Sequence, residues 1–468
     1  FLLWFKKHYV SRYYFKKLLL CIPYISAKIY KINHSLKEGF CSDYVHYNKI
    51  PSKSLDETEV ENKISTMKPN SIENLSGVIY NNDSSHNDLL LKIFKGFIKS
   101  NPLHPQVFPE IRNMEVDIVQ MVSNMFDGNE NTCGNVTTGG TESILLACYT
   151  YREYCKKEYG ITKPNIVSFH SIHPAFDKAC HYFGIKLRKA DKWWKLKWLI
   201  NWNTVCVVGS APTYGYGDID PIVEMSEYCL KLNIPFHVDC CMGGFIVPFL
   251  ENNVVSFRNE GITSISADTH KYGNCFKGSS VLLFSHSKIK IHQHFVKTDW
   301  EGGMYATPTM MGSKSGALIA VTWASLLYMG SERYIKIAYN TRKLLRKVRD
   351  HYLDHKYVKI LGNPDTNIIA FGSDHVSIYS VMNQIKGWDL SILSSPPAFH
   401  LCITSVHTET HIDNFISKFD SAIESVVLDP HKSLDGTLAI YGSATKVENS
   451  IFIEDVVNSY LHMLSKKQ

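Results

Sequence analysis

A chain of 468 residues, 44% hydrophobic and 20% charged, has the make-up of a folded globular protein and is long enough for two or three domains. That excludes a disordered, collagen-like or coiled-coil chain. The net charge of +6 sits at the start, where Phe1 to Lys37 hold eight Lys/Arg and no Asp or Glu; the rest is slightly acidic, and no nucleic-acid-binding face is expected.

The chain begins with Phe rather than Met. Phe1-Leu2-Leu3-Trp4-Phe5 is too short to cross a bilayer, which takes about 20 apolar residues. A short apolar stub followed by basic and aromatic residues suits the cytosolic edge of a membrane span and a basic surface helix equally well. Residues 1–75 read as a basic, membrane-proximal segment.

Helical spacing is predicted over Asn87 to Ser100 and Ile111 to Phe126. Thr141 to Glu158 is a third helix, ending at Gly160. Short apolar runs follow at Asn165 to His170, Thr204 to Gly209, Phe236 to Cys240, Ser264 to Ala267 and Val281 to Phe284. Strands alternating with helices predict an α/β unit with a mostly parallel sheet, here residues 76–330. A long helix (Ala317 to Met329) leads into a further one (Tyr334 to His351), which with short strands at Asn367 to Phe371 and Phe399 to Ser405 predicts a smaller α+β unit over 331–468. The twelve Cys include no CxxC pair, which predicts free thiols in a reducing compartment. A glycosylation sequon at Asn135-Val136-Thr137 is assigned to the loop before the third helix, where a glycan would block a ligand site at the strand ends.

Ligands of such sheets gather at the carboxyl ends of the strands. Gly139-Gly140-Thr141-Glu142-Ser143 opens a helix, as a phosphate cup does. Asp239 ends one strand in His237-Val238-Asp239. Lys271 follows another in Ser266-Ala267-Asp268-Thr269-His270-Lys271, and a lysine there can form an imine with a carbonyl cofactor, aided if desolvation lowers its pKa. His173 offers a flat ring beyond a third. Singly these are a turn, a capping Asp, a surface lysine and a helix-start histidine. Together they match pyridoxal 5'-phosphate: cup for the phosphate, Asp for the ring nitrogen, Lys for the aldehyde, ring for the face.

The chain resembles the sphingosine-1-phosphate lyase family, fold-type I pyridoxal phosphate enzymes with a mostly parallel sheet flanked by helices and a smaller C-terminal α+β domain. The resemblance runs through Ser76-Gly77-Val78-Ile79-Tyr80, Asn101-Pro102-Leu103-His104-Pro105, Thr138 to Ser143, His237-Val238-Asp239, Gly261 to Gly273 and Thr298-Asp299-Trp300 to Gly302-Gly303. It implies retro-aldol cleavage of a phosphorylated sphingoid base to a long-chain aldehyde and phosphoethanolamine. It implies Lys271 on the cofactor aldehyde, Asp239 on the ring nitrogen and His173 stacked on the ring. Gly140, Thr141 and His270 would hold the cofactor phosphate, joined by Ser313 of a homodimer partner. Tyr80, His104 and Lys277 would hold the substrate phosphate. Lys271, Tyr214 or Tyr216 would take the proton of the 3-hydroxyl. An endoplasmic reticulum membrane location with the catalytic part facing the cytosol is also implied, the membrane surface being met through the N-terminal segment.

Three departures stand out. Gly312-Ser313-Lys314-Ser315-Gly316 replaces the family's usual Gly-Ser-Arg-Pro-Gly, losing a bidentate fork. Asn274-Cys275-Phe276-Lys277 replaces Tyr-Ala-Pro-Lys. Gly184 to Asn203 is short and rich in Trp (Trp193, Trp194, Trp198, Trp202). The rival readings are a pyridoxal phosphate-dependent amino-acid decarboxylase and a non-catalytic, membrane-associated binding protein.

Overall fold

A seven-stranded sheet organises the chain and carries its polar residues to one edge. The structure, a computed structural model, describes residues 50–65, 74–251 and 253–430, with positions 458 and 461. The basic segment Phe1 to Lys37 lies outside the described residues. Helices α1 (Glu57–Ser65), α2 (Ser84–Phe97) and α3 (Pro109–Met125) come first. Asp83 caps α2 by accepting from the His86 N–H, and Pro109 opens α3 with its fixed φ. Then follow β1 (Cys133–Thr137), α4 (Gly140–Tyr159), β2 (Asn165–Phe169), α5 (Ala175–Phe183), β3 (Lys186–Ala190), α6 (Trp193–Leu199) and β4 (Thr204–Ser210). The unit continues with α7 (Ile222–Leu232), β5 (Phe236–Asp239), β6 (Ile262–Ala267), β7 (Ser280–Phe284) and the single turn α8 (Ser287–Lys290).

The sheet order is β1-β7-β6-β5-β4-β2-β3. Its pairings are parallel except around β7, which runs antiparallel to both β1 and β6. β2, β4, β5 and β7 are buried throughout, as strands covered by helices on both faces must be. Their continuous apolar runs therefore predicted them. Two members were not predicted. β1 falls in the stretch assigned to the loop before the third helix, although it pairs with β7 from Cys133 opposite Phe284 to Thr137 opposite Ser280. β3 (Lys-Leu-Arg-Lys-Ala) lies at the far edge, where basic side chains are tolerated and discourage edge pairing. The sequon residue Asn135 lies inside β1, not in the loop; its side-chain oxygen accepts from Gln293 at 2.6 Å.

A hairpin, β8 (Phe295–Trp300) with β9 (Gly303–Thr307), pairs within itself. The two predicted helices are present as the two halves of α9 (Gly316–Tyr352), separated by non-helical Gly330 at φ 57°, ψ 173°. Only glycine takes that backbone without strain. β10 (Lys359–Leu361), β11 (Ile368–Gly372), α10 (Ile378–Gln384), β12 (Ser391–Ser394), β13 (Pro397–Cys402) and α11 (Glu409–Leu428) complete the described chain. The four strands form an antiparallel sheet in the order β10-β11-β13-β12. Phe371, Phe399, Phe415 and Phe419 interlock between this sheet and α11, and each is fully buried. Burial of one such ring contributes about 1.5–3 kcal/mol. Residues 74–80 also join this sheet: the Ser76 hydroxyl accepts from the Cys402 N–H at 2.8 Å, and Ser405 donates to the Tyr80 carbonyl.

His237, His400 and His407 are buried, and burial pushes each down to about 4. In the unfolded chain such rings take a proton near 6.5. Unfolding thus takes up protons between these values, so stability is full above about pH 7 and is lost as pH falls from about 6.5 to about 4. Thermal melts should show a flat Tm on the alkaline side and a steady fall below. A Tm unchanged down to about pH 5 would mean that these rings are charged in the fold.

Candidate active site

A cavity of about 700 Å³ opens where β1, β4, β5 and β6 end. Its first wall is the turn from β1 into α4. Gly139 has φ +137°, and a Cβ there would stand 3.3 Å from the His270 ring. A Cβ on Gly140 would stand 2.7 Å from both carboxylate oxygens of Asp268, so only glycine lets the turn come this close. Glu142 fixes the turn. It accepts from the Thr138 N–H and hydroxyl, each at 2.6 Å, and its second oxygen accepts from the Met310 N–H at 3.0 Å. Met310 and Met311 thereby become part of the cavity wall.

Asp239 ends β5 and accepts from the Cys241 N–H at 3.0 Å and the Ser266 hydroxyl at 3.3 Å. The same hydroxyl lies 3.3 Å from His237 Nε2; His237 Nδ1 lies 2.7 Å from Ser264 Oγ, which in turn meets the Tyr151 hydroxyl. These groups form a buried polar chain beneath Asp239. Burial outweighs the nearby Asp239 charge and keeps the His237 ring neutral.

Lys271 Nζ lies 2.9 Å from Asp268 Oδ2. Burial is the strongest single influence and opposes the lysine charge, but Asp268 beside it, with Cys241 and Asp239 adding to its effect, raises the pKa on balance. This corrects the expectation of a lysine pKa lowered by desolvation. The other oxygen of Asp268 is buried and has no hydrogen-bond partner among the described residues. His270 Nε2 is 3.6 Å from Asp268, while its Nδ1 accepts from the Ser279 N–H at 3.2 Å. His173 Nδ1 accepts from the Ala175 N–H at 3.1 Å at the start of α5, which fixes the ring. The Tyr214 ring stands edge-on to His173 at 6.4 Å and to His400 at 4.8 Å.

Tyr80, Gly140, Thr141, His173, Tyr214, Asp239, His270 and Lys271 all line this one cavity. Lys277 is not in its wall, but its ammonium lies 4.5 Å over the Tyr80 ring, a cation–π contact. Burial, and then the Lys271 charge, hold the Lys277 pKa below that of ordinary lysine. Three residues stand apart. Tyr216 donates to the Ser395 carbonyl at 2.9 Å and faces a separate cavity. His104 and Ser313 do not line the cavity of their own chain. They are neighbours of another kind: Asn101, in the turn with His104, donates to Ser313 Oγ at 3.0 Å. Lys314, in the same turn as Ser313, donates to the Val136 carbonyl at 3.0 Å and lies 3.4 Å from Glu115. Asp268, quoted within a motif but given no role, and the two methionines were missed. A carboxylate three residues before a candidate lysine was a usable signal. For the methionines no local signal exists, because a hairpin and a glutamate from another segment bring them in.

A family model, the pyridoxal-dependent decarboxylase conserved domain, matches residues 57–371. Site, sheet and match define a pyridoxal phosphate-dependent enzyme of the decarboxylase fold. The chain is 36% identical over 477 residues to sphingosine-1-phosphate lyase 1 of Rattus norvegicus, covering 96% of this chain and 84% of that one. It is 38% identical to sphingosine-1-phosphate lyase of Drosophila melanogaster, covering 83% and 74%. A solved structure of sphingosine-1-phosphate lyase from Burkholderia pseudomallei superposes with a TM-score of 0.80 at 31% identity, covering 88% of this chain and 99% of that one. Glutamate decarboxylase of Lactobacillus brevis, with a TM-score of 0.72 at 17% identity, shares the fold. The chain belongs to the sphingosine-1-phosphate lyase family, and its cofactor is pyridoxal phosphate.

The polar chain under Asp239 generates a test. His237→Phe keeps the bulk of the ring and removes both of its hydrogen bonds. Asp239 then loses the support that reaches it through Ser266, and affinity for pyridoxal phosphate should fall about tenfold, the worth of one buried hydrogen bond. Cofactor titration followed by visible absorption measures this. An unchanged affinity would mean that the Cys241 N–H alone holds Asp239.

Proposed function

We propose that the enzyme cleaves the C2–C3 bond of a phosphorylated sphingoid base, giving a long-chain aldehyde and phosphoethanolamine. The observation that carries this reading is the cavity itself, with Lys271 and Asp239 at its floor and the Tyr80–Lys277 cation beside it. The residues fit the cofactor. The glycine turn lies so close to Asp268 that any Cβ would clash, which leaves the backbone N–H groups at the start of α4 bare toward the cavity, and among the described residues one buried oxygen of Asp268 has no hydrogen-bond partner. When bound, pyridoxal phosphate takes up the electron pair left at C2 as the C2–C3 bond breaks.

Every other task falls to side chains. Lys271 Nζ would hold the cofactor aldehyde, and Asp268 receives that charge until then. Asp239 would keep the ring nitrogen protonated, supported from behind by Ser266. His173, fixed by Ala175, offers its face. Gly140, Thr141 and His270 would hold the cofactor phosphate. Lys271 Nζ as a free amine, or Tyr214 as a phenolate, would take the proton of the substrate's 3-hydroxyl; both line the cavity whereas Tyr216 does not. Lys277 and Tyr80, joined by His104, would bind the substrate phosphate. A cationic group there suits a dianion. A decarboxylase of amino acids has no use for that cluster.

The reading includes a homodimer. Ser313 and the turn with His104 are joined to each other but stand outside their own cavity, as groups lent to a partner's cavity would. Nearby, the β8–β9 hairpin exposes Phe295, Val296, Trp300 and Met304, an apolar surface that a second copy would cover. The reading also includes attachment to the endoplasmic reticulum membrane on its cytosolic side through the N-terminal segment. Among the described residues no helix is long and apolar enough to cross a membrane.

Incubation with a phosphorylated sphingoid base should release the aldehyde and phosphoethanolamine, and free sphingosine should remain intact. Lys277→Met should lower kcat/KM about tenfold to a hundredfold, since a charge-assisted bond contributes roughly 1.5–3 kcal/mol. The visible absorption of the bound cofactor should persist in that variant. Equal cleavage of the phosphorylated and free bases would remove the phosphate-binding role of Tyr80, His104 and Lys277.

For the shared site, Lys271→Ala and Ser313→Asp subunits are each expected to be inactive as homodimers. Mixed, they should regain part of the wild-type rate, because one cavity in each heterodimer is then intact. Confirmed heterodimers with no activity would place Ser313 outside the partner's site.

A further inference from the structure

The sheet edge opposite β1 carries a surface that the reaction does not use. From Lys186 to Trp202, across β3 and α6, there are six Lys/Arg and one acid, Asp191. α6 is held to the body on one side. Leu196 is fully buried, and Trp193 meets Tyr228 edge-on at 5.6 Å with the Lys197 ammonium 5.2 Å from its ring. The other side is uncovered: Trp194 is 57% exposed, Trp198 83% and Trp202 97%. Trp194 and Trp198 stand four residues apart in a helix and so share a face. Single exposed apolar residues are ordinary, but three indoles grouped on one edge mark a contact surface.

Charge decides what covers it. A second copy of the same surface would set lysines against lysines, which opposes self-association. The bridge from Lys195 to Asp191 is solvent-exposed, so the lysine exchanges partners at little cost. An anionic bilayer suits both features. Indoles settle at the headgroup level with the ring toward the acyl chains, and lysines meet the lipid charges. We propose that the β3–α6 edge is a membrane-docking surface that seats the catalytic body on an anionic bilayer. The proposal rests on the reading of the substrate as a phosphorylated long-chain base, an amphiphile that resides in such a bilayer.

The test uses the cofactor-loaded full chain and vesicles of phosphatidylcholine with brominated acyl chains, with or without about 30% phosphatidylserine. The wild type should bind the anionic vesicles and show quenched tryptophan fluorescence. Trp194→Ser/Trp198→Ser/Trp202→Ser should lose most of the quenching and about tenfold in affinity. Lys192→Glu/Lys195→Glu should lose a similar factor on the anionic vesicles. Both should cleave micelle-dispersed substrate like the wild type, since none of these residues lines the catalytic cavity. Equal affinity and equal quenching in all three proteins would overturn the proposal and leave membrane binding to the N-terminal basic segment. An absence of quenching on either vesicle would overturn it in favour of an acidic protein partner. A smaller particle in sedimentation for the tryptophan variant, with no change on vesicles, would make the edge an interface between copies instead. Vesicle binding with the expected losses, but no cleavage of phosphorylated base in micelles, would uphold the docking surface and refute the proposed reaction.

Discussion

The site depends on one buried negative charge. Asp268 is enclosed between the glycine turn, His270 and Lys271, and an ion in such a place is tolerable only when partnered. Lys271 supplies the partner at 2.9 Å, and the pair in turn holds the lysine over the floor of the cavity. Removing one member of a buried pair typically costs about 3–5 kcal/mol. Gly140 cannot carry a side chain without striking this carboxylate. Turn, lysine and histidine are thus placed by the same constraint, and it explains why no bulkier residue could stand at Gly140.

The sheet adds a second level. Its strands end together, so residues as far apart in sequence as Thr141 and Lys271 meet in one cavity. Beneath Asp239 the strand interiors carry hydroxyls and an imidazole where valine or isoleucine would be the ordinary choice. Tyr151, Ser264, His237 and Ser266 satisfy one another, and a fully paired chain of this kind rigidifies its end group.

Much of this was legible in the sequence, for physical reasons. Strands buried on both faces are written as unbroken apolar runs, and α4 announced itself by a glycine turn and a glycine stop. Lys271, Asp239 and His173 were readable because each follows such a run, and the cup because its glycines open a helix. β3 was not, because an edge strand has no need of apolar residues and its Lys-Leu-Arg-Lys-Ala looks like a loop. The exclusion of Tyr216 was equally hidden: Tyr214 and Tyr216 differ only in which carbonyl or ring they meet once the small sheet has folded beside them. The lysine's raised pKa depends on Asp268 lying against it in space. That Lys314 would reach the carbonyl of Val136 required knowing that β1 exists.

The break at Gly330 has a consequence for how the two sheets communicate. A straight helix running from Gly316 to Tyr352 would be a single lever, and any tilt of the small sheet would be felt at the Ser313 turn. With glycine backbone in its middle, α9 becomes two short levers on a universal joint. The small sheet meets the cavity through the rings of His400 and Tyr214, while the lysine pair stands on the large sheet. The molecule thereby separates the Tyr214 side of the cavity from the part that anchors the cofactor, and the two are free to be tuned independently.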